Sequence, residues 1–196
     1  MIYLDTAATS HKKPAQVYHT LDVLTRKHSA NAGRGASTLS LAAANYIYEA
    51  AEQAALLFHI NAPENIAFTS NTTLALNMAI KGCTKKKPHV IMTSMEHNSV
   101  ARPVYACGAP YTIVRADREG YMNPADIARA IRPDTGLIVA NHASNVCGSL
   151  QDIAAIGEIA HKQGVLFLVD SAQSAGVVPI DVETMHIDML AFAGHK

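Results

Sequence analysis

Gly164 is followed by Val165-Leu166-Phe167-Leu168-Val169, an apolar run with no polar alternation. A strand with one face in water alternates apolar and polar residues. One without polar positions is covered on both faces, as in a parallel sheet between helix layers. Shorter runs at 90–93, 111–114, 137–141 and 189–193 repeat the theme, and 65–69 reads as a further strand. Helical spacing separates them. The segment 14–28 carries Val17, Leu21, Leu24 and His28 in register. The Ala-rich segment 39–59 has Ser37 or Thr38 as its N-cap. Helices are also expected over 72–81, stopped by Gly82, and over 99–106, broken early by Pro103. Two more are expected over 124–131, with Pro in its first position, and over 152–163, closed by Gly164. This order predicts an α/β fold, a doubly wound and mainly parallel sheet.

Composition removes several classes of function. Hydrophobic residues make up 49% and charged residues 16% of 196, against about 25% charged in an ordinary domain. Such a chain buries enough apolar area to fold. Lys plus Arg equals Asp plus Glu at 16 each, so no basic footprint for nucleic acid or an anionic membrane exists. No apolar run reaches the roughly 18 residues of a membrane span. The start, MIYLDTAATSHKK, lacks a secretory pattern. Cys83, Cys107 and Cys147 are odd in number and lack metal-ligand spacing, which fits a reducing cytoplasm and no metal site. Lys85-Lys86-Lys87 reads as a solvated turn.

A doubly wound sheet binds ligands beyond the carboxyl ends of its strands. Polar residues cluster at those places. After 65–69 come Ser70-Asn71-Thr72-Thr73, opening a helix whose N-terminus suits a phosphate; a plain N-cap reads the same way. After 90–93 comes His97, able to stack on a ring, move a proton or cap a helix. After 137–141 comes Asn145, a candidate for a ring hydroxyl or simply part of a polar loop. After 165–169 comes Asp170, then Gln173. A carboxylate at the end of a doubly covered strand asks for a cationic partner, and no Lys or Arg is near it in sequence. A ligand's protonated ring nitrogen would serve; an N-cap is the alternative. After 189–193 come His195 and Lys196, and a Lys among such groups can condense with a carbonyl. Together these supply a phosphate cradle, a stacking ring, a donor to a ring oxygen, a carboxylate for a pyridine nitrogen and a reactive amine. That set is what pyridoxal 5'-phosphate takes from a protein.

On these residues the sequence resembles the class V aminotransferase family, nearest its cysteine desulfurase branch. The matching segments are Tyr3-Leu4-Asp5-Thr6-Ala7-Ala8-Thr9, Arg34-Gly35 with Leu39-Ser40, Asn71-Thr72-Thr73, Glu96-His97-Asn98-Ser99, Ser144-Asn145-Val146-Cys147-Gly148, Asp170-Ser171-Ala172-Gln173 and Gly194-His195-Lys196. The resemblance implies the large domain of an aspartate-aminotransferase-like fold type I enzyme, incomplete here. It implies that Lys196 holds pyridoxal phosphate covalently and shuttles the α-proton, that Asp170 pairs with the pyridine nitrogen and that His97 stacks on the ring. It places Gln173 and Asn145 near the phenolic oxygen or substrate, and Thr72, Thr73 and His195 on the phosphate. Ala193 departs from the Ser of many desulfurases, and Asn71 from the commoner Gly. The implied reaction is cleavage of L-cysteine to L-alanine with sulfur passed to an enzyme cysteine, a step in sulfur metabolism. Other class V transamination or selenocysteine cleavage are alternatives, as is a non-catalytic cofactor-binding or scaffold fragment. A cytoplasmic homodimer is expected, with the loop 31–40 reaching over a neighbouring site and a sulfur-acceptor protein as partner. The expected organisation is an N-terminal arm and helix over 1–30 and a partial cofactor-binding domain over 31–196. Family members are about twice as long, so a C-terminal half is absent. It would hold the antiparallel strand joining 65–69 to the sheet, the substrate-carboxylate Arg and the persulfide Cys. The 196-residue chain alone is expected to be inactive.

Overall fold

The computed structural model describes residues 2–33, 35, 37–84 and 88–196. Arg34 and the Lys85-Lys86-Lys87 run lie outside the described residues. The chain forms two compact units, one of residues 68–194 and one of residues 1–67 with His195 and Lys196.

In the 68–194 unit, five strands run β1 (His89–Thr93), β2 (Tyr111–Val114), β3 (Thr135–Asn141), β4 (Leu166–Asp170) and β5 (Met189–Ala191). Their order across the sheet is β2-β1-β3-β4-β5, and every pair is parallel. The predicted α/β architecture is therefore the observed one. Every residue of β1 and β3 is buried, as doubly covered strands require. On one face Val90, Met92, Leu137, Val139, Leu168 and Ala191 form a core with residues of two helices. These are α3 (Thr72–Cys83), giving Leu76 and Ile80, and α4 (Asn98–Ala106), giving Val100 and Val104. The alternate residues Ile91, Ile138, Phe167 and Val169 are fully buried too. On that side α5 (Pro124–Ala130) and α6 (Ile153–Gln163) pack against β2 and β4.

The connection β1→β2 runs to one edge, and β2→β3 returns past β1. The winding reverses between β1 and β3, and the crevice at their carboxyl ends is where such a sheet takes a ligand.

In the other unit, α1 (Ala15–Lys27) has no buried residue, while α2 (Thr38–Phe58) buries Ser40, Ala43, Ala51, Ala55 and Phe58. Ser37 is the N-cap of α2, its Oγ accepting from the Ser40 amide. The segment 31–40 is therefore not loop to its end: Thr38 begins this helix, and Leu39 and Ser40 lie in its first turn, as the helix expected over 39–59 has them.

Three local expectations are corrected. The segment 65–69 is not a strand: Pro63–Asn65 is a 3-10 turn and 66–69 pair with nothing among the described strands. Ile66 keeps extended backbone, φ −92° and ψ 115°, but a strand exists only in a ladder. Gly82 does not stop α3, which runs to Cys83. One Gly costs about 1 kcal/mol against Ala, too little to end a helix already packed through Leu76 and Ile80. Pro103 does not break α4 either. Its cost of about 3 kcal/mol is outweighed by burying Val100, Pro103 and Val104, at about 1.5–3 kcal/mol for each large apolar side chain.

Candidate active site

Three loops leave the crevice. After β1, residues 94–97 turn back and start α4. His97 is the N-cap of α4: its Nδ1 accepts from the Ser99 amide at 3.1 Å and lies 2.8 Å from Ser99 Oγ. Acceptance at Nδ1 puts the proton of the neutral ring on Nε2. The cap orients the ring while the residue stays exposed. Capping and ligand contact, set as alternatives from sequence, are compatible here.

After β3, a tight loop presents Asn145 to solvent. The Gly148 amide donates to Ser144 O at 3.0 Å, and Ser144 Oγ accepts from the Val146 and Cys147 amides. An antiparallel bridge between Ala143 and Leu150 closes the loop. Cys147 is exposed, and bonding with Ser144, then Ser149, lowers its thiol to about 7.

Asp170 is the last residue of β4 rather than the one after it. It is 6% exposed, its Oδ1 accepts from the Ala172 amide at 3.0 Å, and it sits in register with Asn141 of β3. Gln173 follows in a partly buried turn. Since β3 separates β1 from β4, the carboxyl ends of those two strands are about 10 Å apart, two strand spacings. That span is the size of a substituted aromatic ring and its contacts.

Thr72 and Thr73 open α3, which Asn71 caps by accepting from the Leu74 amide at 2.8 Å. The departure at Asn71 is thus a working cap. The first amides of the helix have no intrahelical acceptor, and Thr72 Oγ1 is buried without a partner. Thr73 and His97 line one cavity of about 330 Å³ with Asn77, Ser99 and Arg102. Asp170, Asn145 and Gln173 are not part of its lining.

His195 and Lys196 belong to the other unit. There the N-terminal arm grips His195: Thr9 Oγ1 lies 3.0 Å from its Nδ1, and Ser10 Oγ donates to its carbonyl at 3.0 Å. Lys13 Nζ donates to the same carbonyl. Tyr3 Oη, donating to Thr9 O at 2.9 Å, stiffens the arm. Sequence reasoning gave the arm no such role, because the bonds link residues 186 positions apart.

Glu96 was also missed as a residue with a role. Its Oε1 accepts from Thr93 Oγ1 at 2.6 Å and from the Asn141 amide at 2.9 Å. Burial, with the Asp170 charge adding, pushes its carboxyl up to about 8 against the opposing hydrogen bonds from Thr93 and Asn141. A Glu three residues past a fully buried strand was the available signal. His142 has its pKa lowered by burial, and its Nδ1 is buried without a partner.

Comparison with known proteins bears on all these residues. The Aminotransferase class-V family model matches residues 2–196. A probable cysteine desulfurase of Methanothermobacter thermautotrophicus is 37% identical over the whole chain, which covers 49% of that relative. The cysteine desulfurase IscS of Azotobacter vinelandii is 36% identical, with 50% of it covered. The chain spans about half the length of the curated relatives it matches. The solved structure of SspA in complex with cysteine superposes with a TM-score of 0.93 at 32% identity, covering all of this chain and 57% of that one. The apo cysteine desulfurase of Thermococcus onnurineus NA1 gives 0.91 at 33%, covering all of this chain and half of that one. With a family model spanning the described fold from its first arm to its last lysine, the chain belongs to the class V aminotransferase family, and its similarity lies with the cysteine desulfurases.

Proposed function

We propose that this chain carries the cofactor-binding part of a pyridoxal-phosphate-dependent cysteine desulfurase. The observation that carries this reading is Asp170, a carboxylate buried at the carboxyl end of β4, two strands from the strand whose following loop bears an oriented and exposed His97. The residues fit the cofactor. Thr72 Oγ1 is a buried hydroxyl without a partner at a helix start, which suits a phosphate oxygen. Asp170 suits a protonated pyridine nitrogen, which a neutral site would not hold charged.

When bound, the cofactor supplies an electron sink for the bond broken at the substrate's α-carbon. Asp170 holds a negative charge opposite the ring nitrogen. His97, exposed and oriented by its cap, would pack against the ring. Thr72 and Thr73 would hold the phosphate; within the other unit the arm residues Thr9, Ser10 and Lys13 position His195, to which the resemblance also gives a phosphate role. Asn145 and Gln173 donate to the ring oxygen or orient the substrate. Lys196 Nζ anchors the cofactor and moves the α-proton. Overall, L-cysteine and an enzyme thiol give L-alanine and an enzyme persulfide, which a sulfur-acceptor protein takes up. A cytoplasmic homodimer with the loop before α2 over the neighbouring site completes the reading.

The test is to add pyridoxal phosphate, reduce with borohydride and map peptides. A stable pyridoxyl label on Lys196, lost in Lys196→Ala, is expected. A label on another Lys, or none, overturns the assignment.

A further inference from the structure

We propose that Glu96 is a positioning residue that carries a proton: as a neutral acid it ties the His97 loop to the end of β3 and leaves Asp170 the single anion at the strand ends. This rests on reading Asp170 as the partner of the ring nitrogen.

Three bonds close the crevice behind that loop. Thr93 Oγ1 and the Asn141 amide both donate to Glu96 Oε1, and Asn141 Nδ2 donates to Met95 O at 2.7 Å. The two from Asn141 pin 95–96 to β3 where the winding reverses, one residue before the helix cap, and the third braces Glu96 against the end of β1. The carboxyl group itself is enclosed even though the residue is partly exposed: Oε2 is shielded from solvent and has no donor. Among the described residues Glu96 makes no ion pair. The titratable groups on the elements around it are Asp170 at the end of β4, His142 after β3 and His97 on its own loop. Asp170 acts on it with like charge, and His142 is held toward its neutral form by burial. A carboxylate with one oxygen stripped of donors, no cation and an anionic neighbour keeps its proton. Of the pair, Glu96 has the oxygen that is buried with no donor, whereas Asp170 ends β4 at the ligand-facing crevice with the Ala172 amide on its carboxylate, so the proton belongs on Glu96 and the charge on Asp170. One proton too few would put two anions side by side and push the His97 loop off β3.

The proton is measured on the chain without cofactor, so the outcome is independent of Lys196 labelling. At about pH 6, infrared spectra should contain a protonated-carboxyl band that is absent in Glu96→Gln. The band should fade as pH approaches about 8, and fade at lower pH in Asp170→Asn. Glu96→Gln keeps both acceptor bonds and should melt within a few degrees of the parent at that pH. Glu96→Ala should melt lower or fail to fold, and Gln rescues it. Absence of the band at about pH 6, or a Glu96→Gln chain that melts far below the parent there, overturns the proposal. An Asp170→Asn chain whose band fades at the parent's pH overturns the coupling between the two acids.

Discussion

Asp170 and Asn have the same shape and differ in charge, so substitution separates holding a ring from activating it. In an active preparation Asp170→Asn should retain cofactor but lose about two to three powers of ten in turnover. That corresponds to roughly 3–4 kcal/mol at 1.36 per tenfold. Near-parental turnover would end the role given to Asp170. Cys147 offers an independent check on local electrostatics. Its thiol is lowered to about 7 and exposed, whereas burial raises that of Cys83. Because the thiolate reacts, iodoacetamide should modify Cys147 before Cys83 at neutral pH, with a rate rising through about 7. Ser144→Ala removes the largest cause of the lowering and should slow that labelling roughly tenfold at neutral pH. For Glu96 the native proton affinity is raised, so the native chain binds the proton more tightly than the unfolded one. Its contribution is complete below about 4.5 and is lost as pH rises toward about 8. Thermal melts of the parent should decline across that window, and those of Glu96→Gln should lack that component.

At the scale of elements, packing decided what propensity could not. Pro103 and Gly82 carry real helix penalties, yet α4 and α3 run through them because their inward faces close the core. The apolar segment 65–69 had the composition of a strand and lacks a ladder partner among the described strands. Phe68 is accordingly 60% exposed. Helix α6 shows the opposite case, in which a residue is dictated by its neighbour. A Cβ built on Gly157 would lie 1.9 Å from the carbonyl oxygen of Met185. Backbone cannot retreat as a flexible side chain does, so Gly157→Ala should destabilise the sheet unit by about 2–4 kcal/mol. Urea unfolding checks this, and a variant as stable as the parent would show that the turn at 185–186 gives way. Gly164 closes the same helix at φ 60°, as its sequence position indicated.

For the whole molecule, stability should be uneven. Helix α1 buries nothing, while β1 and β3 bury every residue. Amide exchange should therefore be fastest in 15–27 and slowest in β1, β3 and β4; mass spectrometry resolving those peptides would refute this if α1 were among the protected segments. The sequence by itself determined the alternation of elements, the double burial of the strands and the placing of Asp170, His97 and Asn145 at strand ends. Those are local properties: apolar runs, caps and the residue that follows a run are read within a few positions. Only the tertiary structure decided that the winding reverses between β1 and β3, that Glu96 reaches Asn141 and that the arm grips His195. Each of these joins residues 45 or more positions apart or depends on strand order. No local pattern encodes such a pairing, because it is set by which apolar faces meet when the core closes.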